Sequence, residues 1–214
     1  MLTLNDVPAQ ILTVTIWVYW LCVGAMIVRV RRHARKARAL RVLVPEDRLE
    51  RYMWLIWVPL VAGWNVFPYL ALKQTHALFA VPDFAHAIGL YAAVRWVAAF
   101  CAVLLLALTV DCWMRMGKNW RMGVSLDQTT ELVTSGLFRH IRHPIYALSI
   151  LLMICSLLVV PNVPMLVIAV AHVTLIVGKA RNEERHLRRT HGAAYAAYEA
   201  GTGRFFPRFM SRRP

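Results

Sequence analysis

Two groups of polar residues, each set against an apolar run, are the part of this chain equipped for chemistry. The first is Thr134-Ser135-Gly136-Leu137-Phe138, leading to Arg142-His143-Pro144-Ile145-Tyr146. The second is Arg181-Asn182-Glu183-Glu184, followed by Leu187, Gly192, Tyr195 and Tyr198. Ionisable groups beside lipid are costly, and they mark functional sites by default. Pro144 suits a first helical turn, where its missing N–H has no intrahelical partner to lose. A helix starting there turns backbone N–H groups and the positive end of its dipole toward a carboxylate. The plain alternative is a basic helix flank with an interfacial tyrosine. Glu183 and Glu184 are adjacent, point to different faces of a helix, and are not expected to serve one contact. One could accept hydrogen bonds from the hydroxyls or amine of a nucleoside, while the other pairs with Arg181 or a neighbouring arginine and stays ionised. Standing alone, the pair would read as a solvated acidic turn balancing Arg185, Arg188 and Arg189.

The elements that must position these groups follow from composition. The chain has 214 residues, 59% hydrophobic and 17% charged, with a mean hydropathy of +0.50. A soluble domain would be less apolar and more charged. Five apolar stretches, 11–28, 54–72, 87–110, 145–160 and 163–178, predict an all-α polytopic membrane protein with about five transmembrane helices. The last two run short of the roughly 20 residues a span needs and are separated by Pro161-Asn162, so they read as one tight hairpin. Residues 181–199 lack proline and are rich in alanine, which predicts that the fifth span continues as a cytoplasmic C-terminal helix, with Gly192 as mild punctuation. On it, Glu184, Leu187, His191, Tyr195 and Tyr198 fall near one face. The expected organisation is a single membrane domain over 1–214, with three spans in 1–110 and the chemical core in 111–214.

The net charge of +14 is a statement about topology. Basic residues concentrate in 29–51, 111–143 and the C-terminal segment, whereas 1–10 and the 161–162 turn have none and 73–86 has only Lys73. With five spans, every basic segment falls on one side. The positive-inside rule then places the N-terminus outside and the C-terminus in the cytoplasm of a bacterial-type inner membrane. The excess charge would also attract anionic headgroups, a reading that outweighs nucleic-acid binding. No cleavable signal peptide is expected. Cys22, Cys101, Cys112 and Cys155 lack metal-ligand or CxxC spacing, and no metal is expected.

In combination, Leu132-Val133-Thr134-Ser135-Gly136, Arg142-His143-Pro144-Ile145-Tyr146, the hydrophobic hairpin, and Glu183-Glu184 with Leu187, Gly192, Tyr195 and Tyr198 resemble the isoprenylcysteine carboxyl methyltransferase family and its phospholipid-methyltransferase relatives. The resemblance runs from Trp120 to about Pro207, and the N-terminal spans are covered by hydropathy only. It implies an integral membrane enzyme that moves a methyl group from S-adenosyl-L-methionine to a lipophilic acceptor such as an isoprenylcysteine carboxylate. It also implies a cofactor pocket lined by Glu131, Leu132, Val133, Gly136, Phe138, Arg142, His143 and Tyr146 and closed by Glu183 and Glu184, with Arg121 as a further candidate. Phe138 stands where many relatives carry tyrosine, and Ala147-Leu148 replaces a usual glycine. Arg181 and Arg204 are the candidate cations for the acceptor's carboxylate. The acceptor would enter from the bilayer and the cofactor from the cytoplasm.

Three other readings remain open: a phospholipid amine N-methyltransferase, an NADPH enzyme resembling the C-terminal half of sterol reductases, and a non-catalytic transporter or assembly factor. Within the spans, Arg95 is expected to snorkel to headgroups. His172 is expected to hydrogen-bond a neighbouring helix rather than touch substrate. Trp17, Trp20, Trp54 and Trp57 are expected to form an interfacial belt.

Overall fold

The computed structural model describes residues 6–33, 48–74, 76–117 and 133–208. Its elements in chain order are α1 (Val7–His33), α2 (Arg48–Lys73), a one-turn α3 (Phe84–Ala87), α4 (Gly89–Met116), a 3-10 turn at Gly136–Arg139, α5 (Pro144–Val159) and α6 (Val163–Gly201). No strand occurs among the described residues. Among the described residues an isolated parallel β-bridge joins Ile141 and Gly203.

Four helices, α1, α2, α4 and α6, are long and apolar enough to cross a membrane; α5 is apolar but shorter, at 16 residues. At 1.5 Å per residue α5 is about 24 Å long, against a hydrocarbon core of roughly 30 Å. The observed set is therefore four full-length candidates plus one short helix, where the sequence predicts about five spans. α6 behaves as expected and runs on past its apolar part, for 39 residues in all. Gly192 does more than punctuate it: at φ 49° and ψ −121° it takes a left-handed backbone and kinks the helix.

Helix ends follow the side chains that set them. The α5–α6 turn is fixed by Asn162, whose carbonyl accepts from Met165 N–H at 3.0 Å and whose amide donates to Phe79 O at 2.7 Å. Proline at N1 opens α5, and Pro164 lies in the first turn of α6. Side-chain hydroxyls of Thr13, Thr109 and Ser156 bond back to carbonyls one turn earlier, which satisfies these buried donors within their own helices.

The helices pack through small residues. Ala98, Ala99 and Ala102 of α4 are buried, and α4 lies along both α5 and α1. A Cβ on Gly63 of α2 would stand 2.6 Å from Ile168 Cδ1 of α6, so this glycine permits their close approach. Meanwhile Leu21, Leu55, Leu90, Phe100 and Val167 face outward at 60% exposure or more. Large apolar surfaces of that kind belong against lipid. In that solvent, packing and hydrogen bonds rather than water expulsion hold the helices together.

Arg95 departs from expectation. It does not snorkel: it is only 2% exposed, pairs with Asp6 at 2.5 Å, donates to Val159 O at 2.9 Å, and meets His86 Nδ1 at 3.2 Å. A buried guanidinium needs its donors matched, and Asp6 with the end of α5 matches them. The result is a polar clasp joining α1, α4 and α5 at the end of the bundle opposite the two sequence motifs.

Candidate active site

The foot of α5 and the polar half of α6 meet. His143 sits at the N-cap of α5, 7% exposed. Its Nδ1 lies 3.5 Å from Glu183 Oε2 and its Nε2 3.4 Å from Glu184 Oε1. The adjacent carboxylates thus converge on one imidazole, contrary to the expectation that they could not share a contact. Helical spacing fixes where side chains start, and two flexible methylenes let them bend around a ring placed between them. Tyr146 lies parallel to His143, rings 5.4 Å apart and 4° from coplanar, and donates its hydroxyl to Glu183 Oε1 at 2.6 Å.

Glu184 is fully buried. Arg204 grips it with two bonds, Nε to Oε1 at 2.9 Å and Nη2 to Oε2 at 2.6 Å, and Arg142 Nε adds a third at 3.2 Å. Such a fork is the strong form of carboxylate binding. Arg142 also donates to the carbonyls of Glu199 and Thr202. The backbone joins in: Arg142 N–H donates to Gly203 O and His143 N–H to Arg204 O. Residues 202–205 therefore form a strap laid over the entry to α5, with Phe205 against the His143 ring at 6.2 Å.

Charge follows from this packing. Burial disfavours the His143 imidazolium, yet Glu183 and Glu184 outweigh burial and raise its pKa above the ordinary imidazole value. Burial likewise disfavours the Glu184 carboxylate, but His143, Arg204 and Arg142 hold it well below the usual carboxylate range. Glu183 is also lowered, with His143, Lys179 and Tyr146 prevailing over burial. Both carboxylates are therefore ionised at neutral pH, and they bias the imidazole toward its charged form.

Beside this network opens a cavity of about 280 Å³. Its charged and polar lining is Arg142, His143, Tyr146, Lys179 and Glu183, and its aromatic walls are Tyr19, Trp20, Trp54, Trp57, Trp64 and Trp113. Along α6, His172, Ile176, Lys179, Glu183 and Leu187 line it at steps of four, three, four and four residues, the stripe a helix presents to one side.

Of the sequence-predicted residues, Val133, Phe138, Arg142, His143, Tyr146 and Glu183 reach the cavity. Glu131, Leu132 and Arg121 lie outside the described residues. Gly136, at φ 62°, bounds the turn leading in and presses on Arg115, 2.8 Å from where its Cβ would stand. Glu184 stands behind the cavity as the anchor of the network. Arg181 is exposed and does not line the cavity; Arg204 is committed to Glu184. The cations that do line it are Arg142 and Lys179, the latter 5.8 Å from the centre of the Tyr146 ring. The hydroxyl that Phe138 lacks is supplied to its carbonyl instead, by Tyr198 at 2.6 Å.

Sequence reasoning missed the aromatic wall. Trp20, Trp54 and Trp57 face the cavity instead of a belt, and of these four tryptophans Trp17 alone is exposed. The signal was present as spacing: Trp54, Trp57 and Trp64 recur at three and seven residues, one face of a helix. His172 bonds Ser149 of α5 at 3.0 Å, as expected, and also lines the cavity. Among the described residues no cluster fit to hold a metal ion occurs.

Residues 97–189 match the family model of isoprenylcysteine carboxyl methyltransferases (ICMT). No curated protein matches the chain. The match begins upstream of the sequence motifs, inside α4, and stops before Tyr195, Tyr198 and Arg204. It includes every cavity residue from Trp113 through Leu187. Over residues 97–189, then, this multi-helix chain is similar to the isoprenylcysteine carboxyl methyltransferase family, whose enzymes methylate with S-adenosylmethionine.

Proposed function

We propose that the charged lining of the cavity binds S-adenosylmethionine and the aromatic walls bind the lipid part of an acceptor, whose carboxylate is methylated where the two meet. The observation that carries this reading is the His143 ring held between Glu183 and Glu184, because it joins two motifs some forty residues apart at the mouth of one cavity. The residues present fit the cofactor. Glu183 offers an ionised acceptor for hydroxyl or amine donors. Tyr195, a cavity-lining residue, has a buried hydroxyl with no hydrogen-bond partner among the described residues. The Tyr146 face suits a cation. When bound, the cofactor would supply a methyl group on a positively charged sulfur.

The chain's own part is orientation and exclusion of water. Lys179 is the cation placed to hold the acceptor carboxylate, in the role expected of Arg181 and Arg204, while Arg142 is spent on Glu184 and the strap carbonyls. A carboxylate needs no general base, so positioning carries most of the rate. The aromatic walls keep water from the opposing charges, whose mutual neutralisation in the transition state then costs little solvation. We assign the charged lining to the cytoplasmic side of a bacterial-type inner membrane, with the N-terminus outside, on the distribution of basic residues.

Radiolabelled S-adenosylmethionine supplied to membranes holding the protein should label a lipid extract, with the label released by mild base as expected of a methyl ester. His143→Ala should abolish it. A base-stable label would point to amine methylation. Binding of NADPH with none of S-adenosylhomocysteine would overturn the transferase in favour of a reductase, and no binding of either would favour a non-catalytic role.

A further inference from the structure

Five buried side-chain polar atoms lack a hydrogen-bond partner among the described residues, and four of them belong to residues that line the cavity described above. Two are His143 Nε2 and Tyr195 OH. The other two, Trp20 Nε1 and His172 Nδ1, lie among the aromatic walls. Along α6, His172 is eleven residues from Glu183, about 16 Å at 1.5 Å per residue.

Orphaned polar atoms are expensive in an apolar surrounding, and a chamber meant only for hydrocarbon would be cheaper without them. His172 is 2% exposed, with its ring 5.1 Å from that of Trp64. Trp20 also packs on Trp64, centroids 6.3 Å apart. Trp64 itself spends its N–H on Ser156 at 3.0 Å, so it offers the chamber a ring face alone. His172 Nε2 is held by Ser149 Oγ at 3.0 Å, and the Tyr19 hydroxyl stands against that same serine. The ring is thereby fixed with Nδ1 left over. An indole N–H can only donate, so the atom it awaits is an acceptor.

We propose that the aromatic chamber recognises an oxygen in the membrane-buried part of the acceptor, through Trp20 Nε1 and His172 Nδ1, so that the acceptor is an oxygenated lipid and not a plain hydrocarbon chain. This rests on the reading of the chamber as the acceptor's site. A keto oxygen would receive donors from both residues. A hydroxyl would accept from Trp20 and donate to His172 in its other tautomer. Either oxygen would sit among rings that exclude water, where one satisfied donor separates it from an unsubstituted chain.

The test is calorimetric titration of the detergent-solubilised protein with octadecanoic acid and its mid-chain keto and hydroxy derivatives. An oxygenated chain should bind about tenfold tighter than the plain acid, the scale of a hydrogen bond made to a buried orphan donor. Trp20→Phe keeps an aromatic ring and removes the N–H; His172→Phe removes Nδ1. In each the preference should fall to within about twofold. The more favoured of the keto and hydroxy acids identifies which tautomer His172 uses. Equal affinity for all three acids in the unaltered protein overturns the proposal, as does a preference that survives both substitutions. S-adenosylhomocysteine is titrated separately: its failure to bind while the lipid preference persists refutes the methyltransferase reading alone, and its binding without any lipid preference refutes this one alone.

Discussion

Glu184→Ala should unfasten the strap over the site without unfolding the bundle. The side chain is fully buried and answers Arg204 with two bonds and Arg142 with one, while Arg188 stands 3.6 Å away. Removing one partner of a buried ion pair costs about 3–5 kcal/mol, because the other charge is left uncompensated. Arg142, 9% exposed, bears that cost; Arg204, at 33% exposure, can turn to water and bears much less. We therefore expect the loss at the low end, about 3 kcal/mol, and confined to the contacts of residues 202–205 with 140–143. Hydrogen exchange reads it directly. The amides of Arg142, His143 and Gly203, now bonded to Gly203 O, Arg204 O and His140 O, should exchange on the order of a hundredfold faster, since each 1.4 kcal/mol is tenfold. The α4 and α5 amides should be unchanged. Glu184→Gln, which keeps the shape but not the charge, should fall between. Unaltered protection of those three amides in Glu184→Ala would refute the assignment of Glu184 as the anchor.

The remaining expectations concern single groups. His143 has a raised pKa, so its contribution to stability is complete below the unfolded value near 6.5 and disappears as pH rises through the folded value; His143→Gln should flatten that alkaline limb of a thermal-melting profile, and an unchanged limb would place the titration elsewhere. Glu184 has a depressed pKa, so its contribution persists above the unfolded value near 4.3 and is lost only as pH falls through the lower folded one; the strap amides should remain protected at pH 5. Tyr146→Phe removes a 2.6 Å bond to the Glu183 carboxylate, worth about 1.5–3 kcal/mol for a charged partner, and should weaken S-adenosylhomocysteine binding by tenfold or more in calorimetry. Arg95→Met should lower the melting temperature by stranding Asp6 in the bundle, and adding Asp6→Asn should restore much of it; no restoration would mean that the pair does not act as a unit.

The elements were legible because hydropathy and proline placement act locally. Pro144, Pro161, Asn162 and Pro164 mark the hairpin at the residues where helix starts and stops occur, and the apolar lengths gave every long helix. The site was legible as two motifs, and the structure joins them through His143. What could not be read is whatever depends on side chains finding partners across helices. Arg95 looked like a snorkelling residue because nothing in its own helix announces Asp6, 89 residues away. Arg204 looked available because its engagement by Glu184 requires the kinked helix to bring the strap back. The tryptophans looked interfacial because residue type states an affinity for interfaces and for ligands alike, and only packing separates the two.

The backbone bonds from Arg142 and His143 to Gly203 and Arg204 tie the site to the order in which the polypeptide is made. Loop 140–143 emerges some sixty residues before its partner exists, and by then α5 and the apolar part of α6 have already been synthesised. The helices can thus form and pack while the contacts over the entry to α5 are still missing, so those contacts are among the last the chain can make.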